Sequence, residues 1–174
     1  MTMQDNIKIP EISAGVVVMR HDPVRGPLVL TLSVYGKLDL PKGHVEQEHL
    51  LLADPIYQTA ADELYQESNF VLSPVGSDLM ASSPIAALIS NEKYECRNFD
   101  KKTDRVKKRV FLYAADTLYA GPITIVENPK SGIKEHDAAI WLPFDEVVTS
   151  KIHKYMIPGV VWAMDLYRDM LLRR

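Results

Sequence analysis

Two glutamates, Glu63 and Glu67, lie four residues apart in a segment whose apolar side chains fall on one helical face. At about 100° per residue, Ile56, Ala60 and Leu64 define an inward stripe, and both carboxylates project on the same side. Two like charges on a half-buried face destabilise a helix unless a cation neutralises them. The pattern therefore predicts a divalent metal on carboxylate oxygens, an internal ion pair with lysine or arginine, or a shallow solvated edge.

The residues at both ends of this segment define the helix that carries the glutamates. Asp54 offers a side-chain acceptor at the N-cap, and Pro55 suits the first helical position. Asn69 tolerates the left-handed conformation that commonly ends a helix. These signals predict a helix from Pro55 to about Ser68.

Short aliphatic runs predict strands on both sides of this helix. They occupy residues 13–19, 27–34, 70–75, 84–90, 109–115 and 138–142. In residues 38–46, Pro41 and Gly43 predict a loop without regular secondary structure. Pro158 opens a terminal amphipathic helix that is expected to dock on a sheet. Together these elements predict a mixed sheet between helices.

The composition bounds the class of protein. The chain has 174 residues, 47% of them hydrophobic, and a formal net charge of −3. One globular domain spanning residues 1–174 is expected, and a collagen, a coiled coil or a disordered tail is excluded. Cys96 is the only cysteine, so a reducing, cytoplasmic compartment is expected. No secretory signal or run of ~20 apolar residues is present, so neither export nor membrane anchoring is expected.

Positive charge is concentrated in residues 91–109, which contain eight basic and four acidic side chains. This segment therefore carries +4 and the rest of the chain −7. A solvated hairpin tip explains such a run, and so does a surface that holds a polyanion. The small net charge excludes a protein that coats nucleic acid by bulk electrostatics, although it leaves room for a local phosphate site.

The segment LPKGHVE, followed by a helix ending in AADELYQESNF, resembles the signature G-x5-E-x7-R-E-U-x-E-E-x-G-U of the Nudix hydrolases, where U is apolar. Gly43 matches the first glycine and Glu63 the glutamate after the arginine. Leu64, Glu67 and Phe70 follow at the expected offsets. The resemblance, supported by the strand order, implies an α+β fold: a Nudix-type α/β/α sandwich with a mixed β-sheet.

The match includes several departures from the signature. Five residues are inserted between Gly43 and Glu63, around residues 49–54. His49 stands six residues after Gly43, where the signature has glutamate, and Asp62 stands where it has arginine. Gln66 replaces the first of the paired glutamates, and it keeps an oxygen ligand but removes a charge, which is expected to weaken Mg²⁺ binding. Asn69 likewise replaces the second glycine of the signature.

The resemblance implies Mg²⁺ or Mn²⁺ as the cofactor. It places the metal on Gly43, Glu63, Gln66 and Glu67, with Glu67 as the main ligand. Glu63 would be a second ligand or would orient the attacking water. Glu135, just before the last strand, is the candidate catalytic base, and an exposed loop acid is the alternative for that residue.

Within the family, the chain is most similar to the diadenosine tetraphosphate hydrolases and the related RNA 5′-pyrophosphohydrolases. This similarity implies that Tyr94, Lys108 and Tyr113 hold the nucleotide, and Lys42 and His44 beside the loop glycine are expected phosphate contacts. A core position is the alternative for Tyr113. For the lysine, the alternatives are the residues on either side of it, Lys107 and Arg109.

The implied activity is attack of a metal-activated water on a phosphorus of a nucleoside polyphosphate such as diadenosine tetraphosphate, or of a 5′-phosphorylated RNA end. The departures from the signature leave two alternatives. One is a catalytically weak or inactive Nudix-fold protein that binds nucleotide or RNA through residues 91–109. The other is an interaction domain with neither nucleotide nor metal.

Overall fold

A continuous aliphatic run in the first strand builds the centre of the molecule. The computed structural model describes residues 9–125, 127–128, 131–150 and 152–174. Strand β1 (Glu11–Asp22) is buried on both faces along most of its length, which explains why its sequence does not alternate between apolar and polar residues. It pairs in parallel with β8 (Val106–Asp116), from Glu11 opposite Lys108 to Met19 opposite Asp116.

Seven further strands complete one mixed sheet in the described part of the chain. The main path is β3-β2-β1-β8-β6-β5, while β4 pairs with β1, β7 with β8 and β9 with β2. The strands are β2 (Gly26–Val34), β3 (Lys37–Asp39), β4 (Lys42–His44), β5 (Val71–Ser73), β6 (Ile85–Leu88), β7 (Tyr94–Phe99) and β9 (Ala138–Pro143).

Helix α1 (Pro55–Ser68) forms as its end residues predict. The Asp54 side chain accepts a hydrogen bond from Tyr57 N at 3.1 Å, and Asn69 ends the helix at φ 64°. A short α2 (Phe144–Val148) and the terminal α3 (Ile157–Leu172) follow. Two 3₁₀ turns occupy His49–Leu51 and Lys154–Met156.

Helices α1 and α3 cover opposite faces of the sheet. The core under α1 includes Leu64, Phe70 and Tyr113, and the core under α3 includes Leu112 and Met164. The predicted α/β/α sandwich with a mixed sheet is therefore confirmed. No helix in the described residues is long and apolar enough to cross a membrane.

The prediction of an irregular loop over residues 38–46 is wrong in detail. Gly43 in β4 lies opposite Ala14 in an antiparallel pairing with β1. Pro41 does not interrupt this attachment, because its carbonyl accepts a hydrogen bond from Val16 N at 3.0 Å. The short strand therefore fixes the glycine loop against the central strand of the sheet.

Candidate active site

A cavity of about 350 Å³ opens where the beginning of β1, β4 and α1 meet. Five carboxylates line it, together with four basic or imidazole side chains. The acids are Asp39, Glu46, Glu63, Glu67 and Glu135. The other four are Lys42, His44, Lys108 and His136. The cavity therefore combines the acidic face of α1 with a lysine from the basic segment 91–109.

Glu67 is buried at the base of this cavity, with 6% of its surface exposed. Its Oε1 accepts a hydrogen bond from Lys42 N at 3.1 Å, and His136 Nδ1 lies 3.0 Å from its Oε2. Within the described residues, no lysine or arginine side chain forms an ion pair with it. A solvated edge is therefore excluded for Glu67, and its partners are an amide and an imidazole rather than the lysine or arginine of a structural ion pair.

The Glu63 carboxylate fits against the backbone of Gly43, where no side chain is present. Burial raises its pKa to about 7, and the nearby charge of Glu67 acts in the same direction. The pKa of Glu67 is also raised, because burial outweighs the hydrogen bond from His136. Both carboxylates are thus costly to ionise without a further cation in the cavity.

His136 is the main partner of Glu67 that the sequence left without a role. Burial alone would lower the pKa of its imidazole, but the hydrogen bond to Glu67 and the Glu67 charge raise it instead. A sequence signal was available, because His136 directly follows Glu135, the candidate catalytic base before the last strand. Asp39, whose Oδ2 lies 3.1 Å from Lys42 Nζ, gave no such signal.

The donor chemistry of the cavity fits a hard divalent cation. Glu63 and Glu67 supply two carboxylates, and Gln66 lies at the same cavity with an amide oxygen. Among the residues that the structure describes, no group of three or more His, Cys, Asp or Glu side chains is already arranged to hold an ion. The chemical types of the ligands fit a metal, whereas their arrangement is not yet that of a complete coordination shell.

Glu135 lies at the cavity with an exposed side chain. Its Oε1 accepts a hydrogen bond from the Asn128 side chain. The residue therefore reaches the cavity from the segment before β9, and it is also the exposed loop acid of the alternative interpretation.

Three of the five expected substrate contacts, Lys42, His44 and Lys108, line the cavity. Burial lowers the pKa of Lys108, and the charge of Lys42 adds to this effect. Side-chain alternation along β8 separates Lys108 from its two neighbours. Arg109 points to the other face, where it forms an ion pair with Glu95. Lys107 does not line this cavity.

Tyr94 and Tyr113 are not brought to the cavity. Tyr94 packs against Trp162 of α3, with ring centroids 5.8 Å apart. Tyr113 is 2% exposed and packs edge-on against Tyr57 of α1, also at 5.8 Å. Each tyrosine belongs to one of the two cores, so the core alternative describes Tyr113 and extends to Tyr94.

The raised pKa of Glu63 predicts a pH dependence of stability in the protein without metal. The unfolded chain loses this proton near 4.5, while the folded state retains it to about 7. Between these values the folded state binds more protons, so the free energy of unfolding falls as pH rises. The raised pKa values of Glu67 and His136 act in the same direction.

We therefore expect the melting temperature in a metal chelator to fall by a few °C from about pH 5 to pH 8, at about 2–4 °C per kcal/mol. The fall should be smaller in Glu63→Gln, which cannot ionise, and smaller when Mg²⁺ is added. An equal fall in melting temperature with pH in the wild type and in Glu63→Gln would contradict the assignment of the raised pKa to Glu63.

The described part of the chain is an α/β/α sandwich with an acidic cavity at one edge of its sheet. Solved structures similar to this one include the Caenorhabditis elegans Ap4A hydrolase, at 15% identity and TM-score 0.57, covering 94% of this chain and 99% of that chain. This architecture is the Nudix fold, and the chain has that fold. No protein-family model matches the chain, and no curated protein matches it in sequence.

Two further structures support the same fold. A Nudix hydrolase from Alicyclobacillus acidocaldarius has 13% identity and a TM-score of 0.61, covering 92% of each chain. The Nudix domain of Shewanella oneidensis NrtR, solved with ADP-ribose, has 14% identity and a TM-score of 0.59, covering 94% of this chain and 90% of that chain. The likeness extends over nearly the whole chain.

Proposed function

We propose that this protein is a divalent-metal-dependent pyrophosphohydrolase that cleaves a phosphoric anhydride bond in a nucleoside polyphosphate. One observation carries the proposal: the partly buried Glu63 and the buried Glu67 share a cavity with Lys108 of the basic segment. A phosphate chain with a bound metal needs both acidic and basic groups, because carboxylates hold the ion and lysines contact the phosphate oxygens. The similarity to Nudix hydrolase structures supports the same reaction class.

Glu63 and Glu67 would hold the Mg²⁺ or Mn²⁺ ion, with Gly43 and Gln66 as further oxygen donors. The bound ion would activate water and neutralise charge on the phosphate. His136 and the Lys42 amide orient the Glu67 carboxylate, as supporting partners commonly do for a ligating side chain.

Four further residues of the cavity have proposed roles in binding or in the chemical step. Lys42, His44 and Lys108 bind phosphate oxygens, and Glu135 takes the proton of the attacking water. We assign no nucleotide contact to Tyr94 or Tyr113, because both pack in the cores. Candidate substrates are diadenosine tetraphosphate and a 5′-phosphorylated RNA end, and the single cysteine favours a cytoplasmic location.

The test measures phosphate or pyrophosphate release from diadenosine tetraphosphate, nucleoside triphosphates, ADP-ribose and 5′-triphosphorylated RNA, each with Mg²⁺ or Mn²⁺. Turnover that a chelator abolishes supports the proposal. Failure to turn over any of them, together with no effect of Glu67→Gln on nucleotide binding, would remove both the reaction and the site.

A second candidate is a Nudix-fold protein that binds nucleotide or RNA without hydrolysis. The contacts of Glu67 favour it, because its carboxylate already has an imidazole nitrogen 3.0 Å from Oε2 and a backbone amide on Oε1, without a metal. Calorimetric binding of a nucleotide at the cavity without turnover in either metal would select this candidate over the enzyme.

Lys108 is expected to contribute to substrate binding rather than to the chemical step. Replacing it by glutamine should raise KM by about 10–100-fold, the cost of a hydrogen bond to a charged group, with little change in kcat. Lys107→Gln is the matched control, because this neighbour is exposed and outside the cavity. Steady-state kinetics of the three proteins decide, and equal KM values would contradict the assignment of Lys108.

A further inference from the structure

His49 is a buried imidazole with a partner on each ring nitrogen. It begins the 3₁₀ turn His49–Leu51 and is 8% exposed. The backbone N–H of Glu46 donates to its Nδ1 at 3.1 Å. Its Nε2 lies 3.1 Å from Oδ2 of Asp62 on α1. The side chain therefore joins the loop after β4 to the helix that carries the acidic pair.

The two contacts determine the chemical form of the imidazole. A ring nitrogen that accepts an N–H hydrogen bond carries no proton, so the hydrogen of His49 is on Nε2 and is donated to the Asp62 carboxylate. His49 is thus neutral and in a single tautomer. A protonated ring has no acceptor to offer Glu46, and the other tautomer presents Nε2 without a hydrogen to the carboxylate.

Asp62 is itself held from a second direction. Gln58 Nε2 donates to its Oδ1 at 2.9 Å, so both carboxylate oxygens have a partner. Asp62 immediately precedes Glu63 in α1, and Glu46 and Glu63 line the same cavity. His49 therefore links the loop that contributes Glu46 to the cavity with the helix that contributes Glu63.

We infer that His49 is a positioning residue, which fixes the loop at Glu46 against α1. It thereby sets the distance between Glu46 and Glu63 across the cavity. The Nudix signature has glutamate at the position of His49 and arginine at the position of Asp62. In this chain the donor, His49, is on the loop, and the acceptor carboxylate, Asp62, is on the helix. The effect on turnover rests on the proposed function, whereas the link itself does not.

Two conservative variants test the two hydrogen bonds of His49 separately. His49→Asn keeps an acceptor near the position of Nδ1, and His49→Gln keeps a donor that reaches toward Asp62. Each should lower kcat by about 10-fold, within the 10–100-fold range for supporting partners of a metal site, and should raise the Mg²⁺ concentration for half-maximal activity. His21→Gln, at an exposed histidine, should change neither quantity.

Exchanging the side-chain types at positions 49 and 62 tests whether the link can be restored. His49→Glu alone faces Asp62 with a like charge, and Asp62→Arg alone leaves His49 without its acceptor. The double variant, His49→Glu with Asp62→Arg, can again bond both Glu46 N–H and α1. Its kcat is expected to recover to within about threefold of the wild type, a non-additive effect of directly coupled residues.

Nuclear magnetic resonance supplies a readout that does not depend on activity. The ¹⁵N shifts of His49 should show an unprotonated Nδ1 and a protonated Nε2. Hydrogen exchange of the Glu46 amide should be faster in His49→Gln but not in His49→Asn. If no substrate is turned over but these signals are found, the proposed function fails and the link stands. A protonated Nδ1, or turnover that no His49 variant alters, overturns the inference.

Discussion

Replacing Glu67 by glutamine is expected to lower kcat by more than about 100-fold. Loss of a partner that only supports a metal ligand costs about 10–100-fold, and Glu67 is the proposed ligand itself. The glutamine keeps the size of the side chain and an oxygen to accept from Lys42 N, so the change removes the charge with little change in shape. Turnover at saturating Mg²⁺ and Mn²⁺ measures the effect.

The same substitution should not lower the melting temperature at neutral pH. Burial raises the pKa of Glu67, so its ionised form is unfavourable in the metal-free protein, and a neutral amide avoids that cost. Glu92→Gln, at an exposed glutamate before β7, is the control and should change neither activity nor stability. Full turnover by Glu67→Gln would contradict the proposed metal site.

Gly43→Ala is expected to reduce kcat by about 100-fold while leaving the fold intact. An alanine Cβ at this position would overlap the carboxylate of Glu63. The carboxylate is the far end of a flexible side chain and can move away, but it then leaves the position it takes in the cavity. Kinetics and circular dichroism of the variant would separate the local effect from unfolding.

Gly15→Ala provides the contrasting substitution, since Gly15 lies opposite Lys42 in the same pairing of β1 and β4. Here an added Cβ would meet the Pro41 carbonyl and Lys42 Cβ, which are held by the backbone at the start of β4 and cannot swing away. Gly15→Ala should therefore lose stability, by about 1–3 kcal/mol for an overpacked interior. Equal stability losses for the two alanine variants would contradict the assigned role of Gly43.

The sequence predicted the elements whose signals are local. The cap at Asp54, the first-turn proline and Asn69 determine α1 within a few residues, and the structure has the same bounds. Strand β7 was not predicted as a strand. Its exposed Arg97 and partly buried Glu95 do not resemble a core strand, and it forms because β8 offers an antiparallel partner from Leu112 to Val106.

The candidate site was predictable where one helix supplies the side chains. The 3.6-residue period placed Glu63 and Glu67 together, whereas the contact between Glu67 and His136 joins positions 69 residues apart in sequence and has no periodic signal. The tyrosines were assigned from their place before and within β8. Their direction depends on which face of the sheet each strand position presents, which becomes known only with the strand pairing.

The parallel pairing of β1 with β8 also bears on how the protein folds. Its nine residue pairs join segments almost a hundred positions apart, from Glu11 with Lys108 to Met19 with Asp116. Closing so long a loop costs chain entropy before native contacts compensate for it, and such non-local pairing is slow. This pairing brings Lys108 beside β1 at the cavity, so a partly folded chain can contain α1 with both glutamates and still lack the proposed phosphate contact. We therefore expect the cavity to be completed late in folding, after β1 and β8 have paired.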